Sequence, residues 1–189
     1  MYLYHVGFEI IKDIDLKYGR KNADFGQGFY LSSDLDFSKK WARISKNKDT
    51  ILNIYDLDLT DLKVLNFNGR NEDWFNYIYK NRNNYEDMYK DYDVVIGSIA
   101  NDTIFDLYGI LTSGLINNNI ALKILSVGPS YTQIVIKSEK AKLKLKFIKY
   151  EILNKDDILK TKKEVKKDEE EYQNIVFSML DDKIKNLIN

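Results

Sequence analysis

The segment of this chain whose residue types and spacing best suit a ligand-binding site is residues 19–42, GRKNADFGQGFYLSSDLDFSKKWA. Gly26 and Gly28 bracket Gln27 directly before an aromatic segment and a Ser-Ser-Asp helix start. Glycines at such places let the backbone approach a ligand closely. The same pattern is typical of a tight turn into a core strand, so the glycines alone leave both interpretations open.

The composition excludes several common chemistries. The chain has no cysteine and a single histidine, His5, which excludes thiol nucleophiles, iron–sulfur clusters and a multi-histidine metal site. It also lacks a Gly-rich phosphate loop and the HExxH, GxGxxG and GxSxG motifs. Basic and acidic residues each number 29, so the overall charge calls for neither nucleic acid nor anionic lipid. We therefore expect a site without a metal.

The sequence also limits where the protein works. No stretch approaches the roughly 20 apolar residues that a membrane span needs, and the first residues, MYLYHVGFEI, lack the basic region of a signal peptide. We expect a cytoplasmic protein with no membrane partner.

The hydrophobic pattern predicts which elements must position these residues. Strands are predicted at 2–6, 29–32, 51–59, 63–67, 92–99, 131–137 and 143–150. A helix of about three turns is predicted from Asp34, and a second helix is predicted to end near Arg82. Two short helices are predicted within 103–126, with a break around 117–119, and one helical turn is predicted at 139–143. Strands early and late with helices between them indicate an α+β fold.

A change of character near Asn154 predicts two parts, a domain over 1–152 and a C-terminal helical appendage over 153–189. A charge-rich run is followed there by an apolar stripe at helical spacing, made of Ile175, Val176, Met179, Leu180, Ile184, Leu187 and Ile188. The stripe either packs on the parent domain or binds a partner.

Residues 19–42 resemble a block of the poly- and mono-ADP-ribosyltransferases. That block runs Gly, Lys or Arg, Gly, aliphatic, Tyr, aromatic and a small residue before a helix. Tyr30 matches the tyrosine of the block. A nicotinamide-binding serine follows eight positions later and a stacking aromatic eleven positions later, and these positions hold Ser38 and Trp41.

Two further motifs extend the resemblance. The first motif of the superfamily is a histidine on the opening strand followed at once by glycine. This chain has Tyr4-His5-Val6-Gly7, in which one residue separates the histidine from the glycine. The late-strand glutamate of the superfamily corresponds to Gln133. The stretch from about 2 to 149 also resembles an uncharacterised bacterial domain family allied to these transferases. The resemblance implies a split antiparallel β-sandwich with flanking helices and a catalytic set of His5, Tyr30 and Gln133.

The resemblance also implies how NAD would be held as a co-substrate. Tyr30 and Trp41 would sandwich the nicotinamide ring, Ser38 would hold its amide, and His5 would hydrogen-bond the adenosine ribose. The backbone of Val6 or Gly7 would clamp the amide, and the one-residue departure leaves open which of them does.

The loop before the aromatic strand adds three predicted NAD contacts. Arg20 and Lys21 would neutralise the pyrophosphate, unless they belong to an ordinary basic surface loop. Gly28 would let the backbone approach the ligand.

Gln133 is the departure with the largest chemical consequence. Cleaving the nicotinamide bond develops positive charge on the ribose. A carboxylate about 4 Å away would stabilise this charge by up to about 4 kcal/mol, and an amide cannot supply this Coulomb attraction. Asp102, and with less support Glu139, could supply a carboxylate instead. We expect transfer of one ADP-ribose to a protein or nucleic-acid acceptor, because members without the glutamate tend not to build chains.

The sequence leaves two other hypotheses open. The protein could be a catalytically inactive NAD- or nucleotide-binding module. It could also be a bacterial toxin covered by an antitoxin protein.

Overall fold

The described residues form a mixed α+β structure built on one seven-stranded sheet, which confirms the predicted class. The computed structural model describes residues 1–100, 117–128 and 131–188. Its strands are β1 (Tyr2–Gly7), β2 (Phe29–Ser32), β3 (Ile51–Leu57), β4 (Val64–Asn66), β5 (Val94–Ser98), β6 (Thr132–Ile136) and β7 (Leu145–Ile152). Its helices are α1 (Leu35–Lys40), α2 (Glu72–Arg82), α3 (Asn118–Leu125), α4 (Glu139–Lys144) and α5 (Lys155–Ile188).

The seven strands lie in the order β4-β5-β6-β2-β1-β3-β7. β4 and β5 run parallel, and the other neighbours are antiparallel. The order brings β1, β2 and β6 together at the centre, although they are widely separated along the chain. These three strands carry His5, Tyr30 and Gln133.

Strand alternation gives the sheet two apolar faces. In β6, Val135 belongs to one buried cluster, while Ile134 and Ile136 belong to the other. Helices α2, α3 and α5 cover the Val135 face with Trp74, Ile124, Tyr172 and other residues. The opposite face packs around Leu3, Phe29, Tyr55, Ile14 and Ala141.

The strands β1 and β2 diverge at the centre of the sheet. In the described residues their only register pair is Tyr4 with Ser32, whereas β1 pairs with β3 along its whole length, from Tyr2 to Gly7. The later part of β1 therefore separates from β2, and this separation opens room for a site.

Helix α1 is shorter than the three turns that the sequence predicted. Asp34 caps it by accepting a hydrogen bond from the Phe37 amide at 2.9 Å. The helix ends at Lys40, because the Ala42 amide donates to the Lys39 carbonyl (3.0 Å) in a tightened last turn. The Thr50 hydroxyl then holds the Arg43 carbonyl beside the start of β3.

The C-terminal segment is one long helix, α5, and it packs on the sheet through its middle. Tyr172 and Val176 are buried in the Val135-face cluster. Helix α3 begins after Asn117, whose side chain caps it, but the rest of the predicted 103–126 region falls largely outside the described residues. No helix in the described part of the chain combines the length and apolarity of a membrane span.

Candidate active site

A cavity of about 680 Å³ opens where β1 and β2 diverge. It lies between these strands, the start of β6, α1 and the loop before β2. Eight of the residues that the sequence singled out line it: His5, Val6, Gly7, Arg20, Tyr30, Ser38, Trp41 and Gln133. Residues identified from motifs and separated by up to 128 positions, from His5 to Gln133, thus share one concave surface.

His5 bridges the gap between β1 and β2. Its Nδ1 lies 2.9 Å from the Tyr30 carbonyl oxygen, and its ring stacks on Phe29 with centroids 4.7 Å apart. A carbonyl only accepts, so Nδ1 carries the hydrogen, and in the neutral ring Nε2 is an acceptor. Burial lowers the pKa of His5 below its usual 6.5, against a smaller opposite effect of the Tyr30 carbonyl. His5 therefore offers the cavity a neutral acceptor.

Tyr30 uses its hydroxyl to hold the turn before β2. The hydroxyl donates to the Gly26 carbonyl (2.7 Å) and accepts from the Phe25 amide (2.9 Å). Gly26 has a φ of +76°, the left-handed conformation that favours glycine. Burial, and next the charge of Asp24, raise the pKa of the phenol. The hydroxyl is thus committed to the fold, and the ring face is the part of Tyr30 available to a ligand.

Helix α1 presents Ser38 and Trp41 to the same cavity. The buried Ser38 hydroxyl donates to the Asp34 carbonyl at 2.7 Å, which leaves its oxygen as an acceptor. Trp41 follows the helix and is 53% exposed. Phe37 anchors α1 by stacking on Tyr131, with ring centroids 4.1 Å apart. This contact ties the helix that carries Ser38 and precedes Trp41 to the segment before β6.

Gln133 forms a polar cluster with Asp24 and Arg82. The Gln133 Nε2 donates to Asp24 Oδ2 at 3.3 Å. Arg82, the last residue of α2, donates to Asp24 Oδ1 from Nε at 2.8 Å and from Nη2 at 2.5 Å. All three residues line the cavity, and Asp24 is the one carboxylate among the described residues that do so.

The basic loop residues divide between the cavity and the surface. Arg20 lines the cavity, and so does Arg43, which the sequence analysis missed. Lys21 is exposed and is not among the described lining residues. The structure therefore brings one of the two predicted pyrophosphate contacts to the site and adds another arginine from the segment after α1.

Gly28 packs against β6 and is not among the described residues that line the cavity. A Cβ at this position would lie 2.5 Å from the Ile136 carbonyl oxygen and 2.7 Å from Val135 Cγ1. A Cβ on Gly19 would in turn clash with the Gly28 carbonyl oxygen. The glycine is needed here for close contact between strands.

Two acids were proposed to compensate for Gln133. Asp102 lies outside the described residues. Glu139 is exposed in the first turn of α4, beyond the opposite end of β6 from Gln133. The carboxylate beside Gln133 belongs to Asp24, which directly precedes Phe25-Gly26 inside the motif string but carried no signal of its own.

The assembled cavity combines four chemical features. It has aromatic ring faces from Tyr30 and Trp41, neutral acceptors at His5 and Ser38, an amide–carboxylate pair at Gln133 and Asp24, and arginines. Such a set suits a ligand with a flat ring, sugar hydroxyls and phosphate.

A family model described as "Protein of unknown function (DUF3990)" matches residues 1–147. The chain belongs to this family. The matched region contains every lining residue named above, whereas α5 lies beyond it. No curated protein and no solved structure matches the chain.

Proposed function

We propose that this protein is an NAD-dependent mono-ADP-ribosyltransferase with an ADP-ribosyltransferase-like fold. One observation carries the proposal: His5, Tyr30, Ser38, Trp41 and Gln133 were identified from the motif resemblance, and all five line one cavity. The divergence of β1 from β2 supports the split sheet that the resemblance implies.

The aromatic residues and Ser38 fit the nicotinamide end of NAD. The ring would stack between the faces of Tyr30 and Trp41. The Ser38 hydroxyl already donates to Asp34, so its oxygen accepts from the nicotinamide amide. Val6 and Gly7 line the cavity and have no register partner on β2 in the described chain, so backbone groups of this segment would complete the clamp.

The remaining polar residues of the cavity fit the ribose and phosphates of NAD. His5 Nε2 would accept a hydrogen bond from a ribose hydroxyl, since Nδ1 is taken by Tyr30. Arg20 and Arg43 would face the pyrophosphate, where guanidinium groups bind in a bidentate manner.

The residues would mainly orient and stabilise the reacting groups. In the transfer, the bond between the ribose carbon and the nicotinamide nitrogen breaks, its electron pair leaves with nicotinamide, and an acceptor nucleophile bonds to that carbon and loses its proton. Gln133 would accept a hydrogen bond from a ribose hydroxyl next to the reacting carbon.

The direct test follows nicotinamide release and transfer of label from NAD to macromolecules of a bacterial lysate. We expect Gln133→Ala to lower nicotinamide release by about 100-fold. Gln173→Ala, on α5 and away from the cavity, is the matched control and should keep the wild-type rate. An unmodified protein that neither binds NAD, releases nicotinamide nor labels any acceptor would refute the proposal.

A second candidate function is NAD or nucleotide binding without turnover, favoured by the amide at position 133. In that case NAD raises the melting temperature by mass action and is not consumed. The toxin hypothesis stays a prediction: expression should arrest growth, and an antitoxin protein should relieve the arrest.

A further inference from the structure

We infer that Asp24 is a positioning residue for Gln133 and supplies the negative charge that the amide lacks. The inference rests on the proposed function for its catalytic consequence, while the pairing itself is a feature of the fold. The carboxylate of the site then comes from the loop before β2, and the amide comes from β6.

The contact between the two side chains fixes the orientation of the amide. A carboxylate only accepts hydrogen bonds, so Gln133 must turn Nε2 toward Asp24 Oδ2, at 3.3 Å. The amide oxygen is then the Gln133 atom left to accept from a ligand hydroxyl. Without Asp24, both amide orientations would be open.

Asp24 is itself held from three sides. Arg82 binds Oδ1 through two donors, and the Ala100 amide approaches Oδ2 at 3.5 Å. Asn81 donates to the Asp24 backbone carbonyl at 3.0 Å. The side chain of Asp24 is 15% exposed, so the carboxylate is built into the cavity wall.

Asp24 brings a negative charge next to Gln133, the residue proposed to contact the ribose. Arg82 binds Oδ1 and offsets part of that charge, while Oδ2 faces Gln133. Positive charge develops on the ribose carbon as nicotinamide leaves, and a fixed carboxylate in a partly buried site stabilises it. The carboxylate also explains why position 133 holds an amide, because a glutamate there would place two carboxylates about as close as the present 3.3 Å contact.

The test exchanges the two groups. Asp24→Asn should lower kcat for nicotinamide release about 100-fold with KM for NAD changed less than about threefold. In this variant the amide oxygen of residue 24 still accepts from Arg82, so the amide nitrogen of residue 24 faces Gln133. The Gln133 amide must then turn its oxygen toward residue 24. Adding Gln133→Glu to Asp24→Asn restores one carboxylate and one amide, so kcat should recover to within about tenfold of wild type.

The single variant Gln133→Glu gives a readout that needs no NAD. Two adjacent carboxylates retain a proton to a higher pH in the folded protein than in the unfolded chain. Its melting temperature should therefore fall below that of wild type at about pH 8 and approach it at about pH 5. The double variant should lack this pH dependence.

Asp93→Asn is the matched control. Asp93 has a side chain 14% exposed and accepts from Ser138 and the Lys63 amide, but it does not line the cavity. Its loss should lower the melting temperature and leave kcat unchanged.

Each outcome decides a separate question. A kcat for Asp24→Asn equal to that of Asp93→Asn, or a double variant no better than Asp24→Asn, overturns the role of Asp24. If the double variant does not fold, the first comparison decides alone. A wild-type protein inert toward NAD refutes the proposed function, and the pH behaviour of Gln133→Glu then still decides whether the two side chains are paired.

Discussion

Substituting Gly28 by alanine tests whether this glycine serves the fold or the ligand. The added methyl would lie 2.5 Å from the Ile136 carbonyl oxygen and 2.7 Å from Val135 Cγ1. A backbone carbonyl of a neighbouring strand cannot turn away as a flexible side chain can. Strand β2 must therefore move away from β6.

The expected cost follows from overpacking a well-packed region, about 3 kcal/mol. For a chain of this size, 1 kcal/mol corresponds to about 2–4 °C in melting temperature, so Gly28→Ala should lose about 6–12 °C. Gly69 provides the control, because it has a φ of +82° but no atom within 4 Å of the place that an added methyl would take. Gly69→Ala should cost only the left-handed strain, about 1 kcal/mol or 2–4 °C.

Thermal unfolding followed by circular dichroism measures both variants. A Gly28→Ala protein that melts within about 2 °C of wild type while losing affinity for NAD would contradict the packing role. It would return Gly28 to the set of ligand contacts that the sequence predicted.

Three further predictions concern other parts of the site and its support. Burial lowers the pKa of His5 below 6.5, so the folded protein holds the ring neutral and its stability should fall as pH drops below 6.5, where the unfolded chain takes up the proton. The ring signals of this single histidine in NMR should titrate below 6.5, and a higher value would refute the reasoning. Trp41→Ala should weaken NAD binding about tenfold by calorimetry, whereas Tyr85→Ala, at another exposed aromatic that does not line the cavity, should not. Asp87→Asn removes the carboxylate that pairs with Lys137, whose side chain is 5% exposed and also donates to the Phe25 carbonyl and the Tyr77 hydroxyl. It should cost about 3 kcal/mol in urea unfolding; a cost below about 1 kcal/mol would contradict this.

Local patterns were sufficient to predict most elements of the fold. The alternation in YTQIVIK predicted β6 and placed Gln133 on it, and the glycine boundary with FYLS predicted β2. The predicted length of the helix after Asp34 was wrong. The apolar spacing continues past Trp41, whereas the backbone tightens after Lys40 and turns toward β3.

The pairing of the strands could not be predicted in the same way. Ser32 lies opposite Gln133 in β6 and opposite Tyr4 in β1, and this central arrangement depends on contacts between distant segments. Motif resemblance, not periodicity, gave the reason to expect His5, Tyr30 and Gln133 together.

Asp24 and Arg82 were missed for a related reason. Asp24 lies in a long polar loop whose path depends on Asn81 and Arg82, more than 50 positions later in the chain. In the sequence, Arg82 was only the end of a helix. A contact between side chains that are distant in the sequence produces no regular spacing from which it could be predicted.

The packing of α5 has a practical consequence for anyone preparing a shorter version of this protein. The family-matched region ends at residue 147, inside β7, so a fragment cut there would lose much of the edge strand that covers β3. It would also strip Tyr172 and Val176 from the core and remove Asp168, which binds Lys40 of α1 at 2.8 Å. The shortest sensible expression unit therefore runs at least through Met179, which also packs against this core, well past the boundary that family similarity suggests.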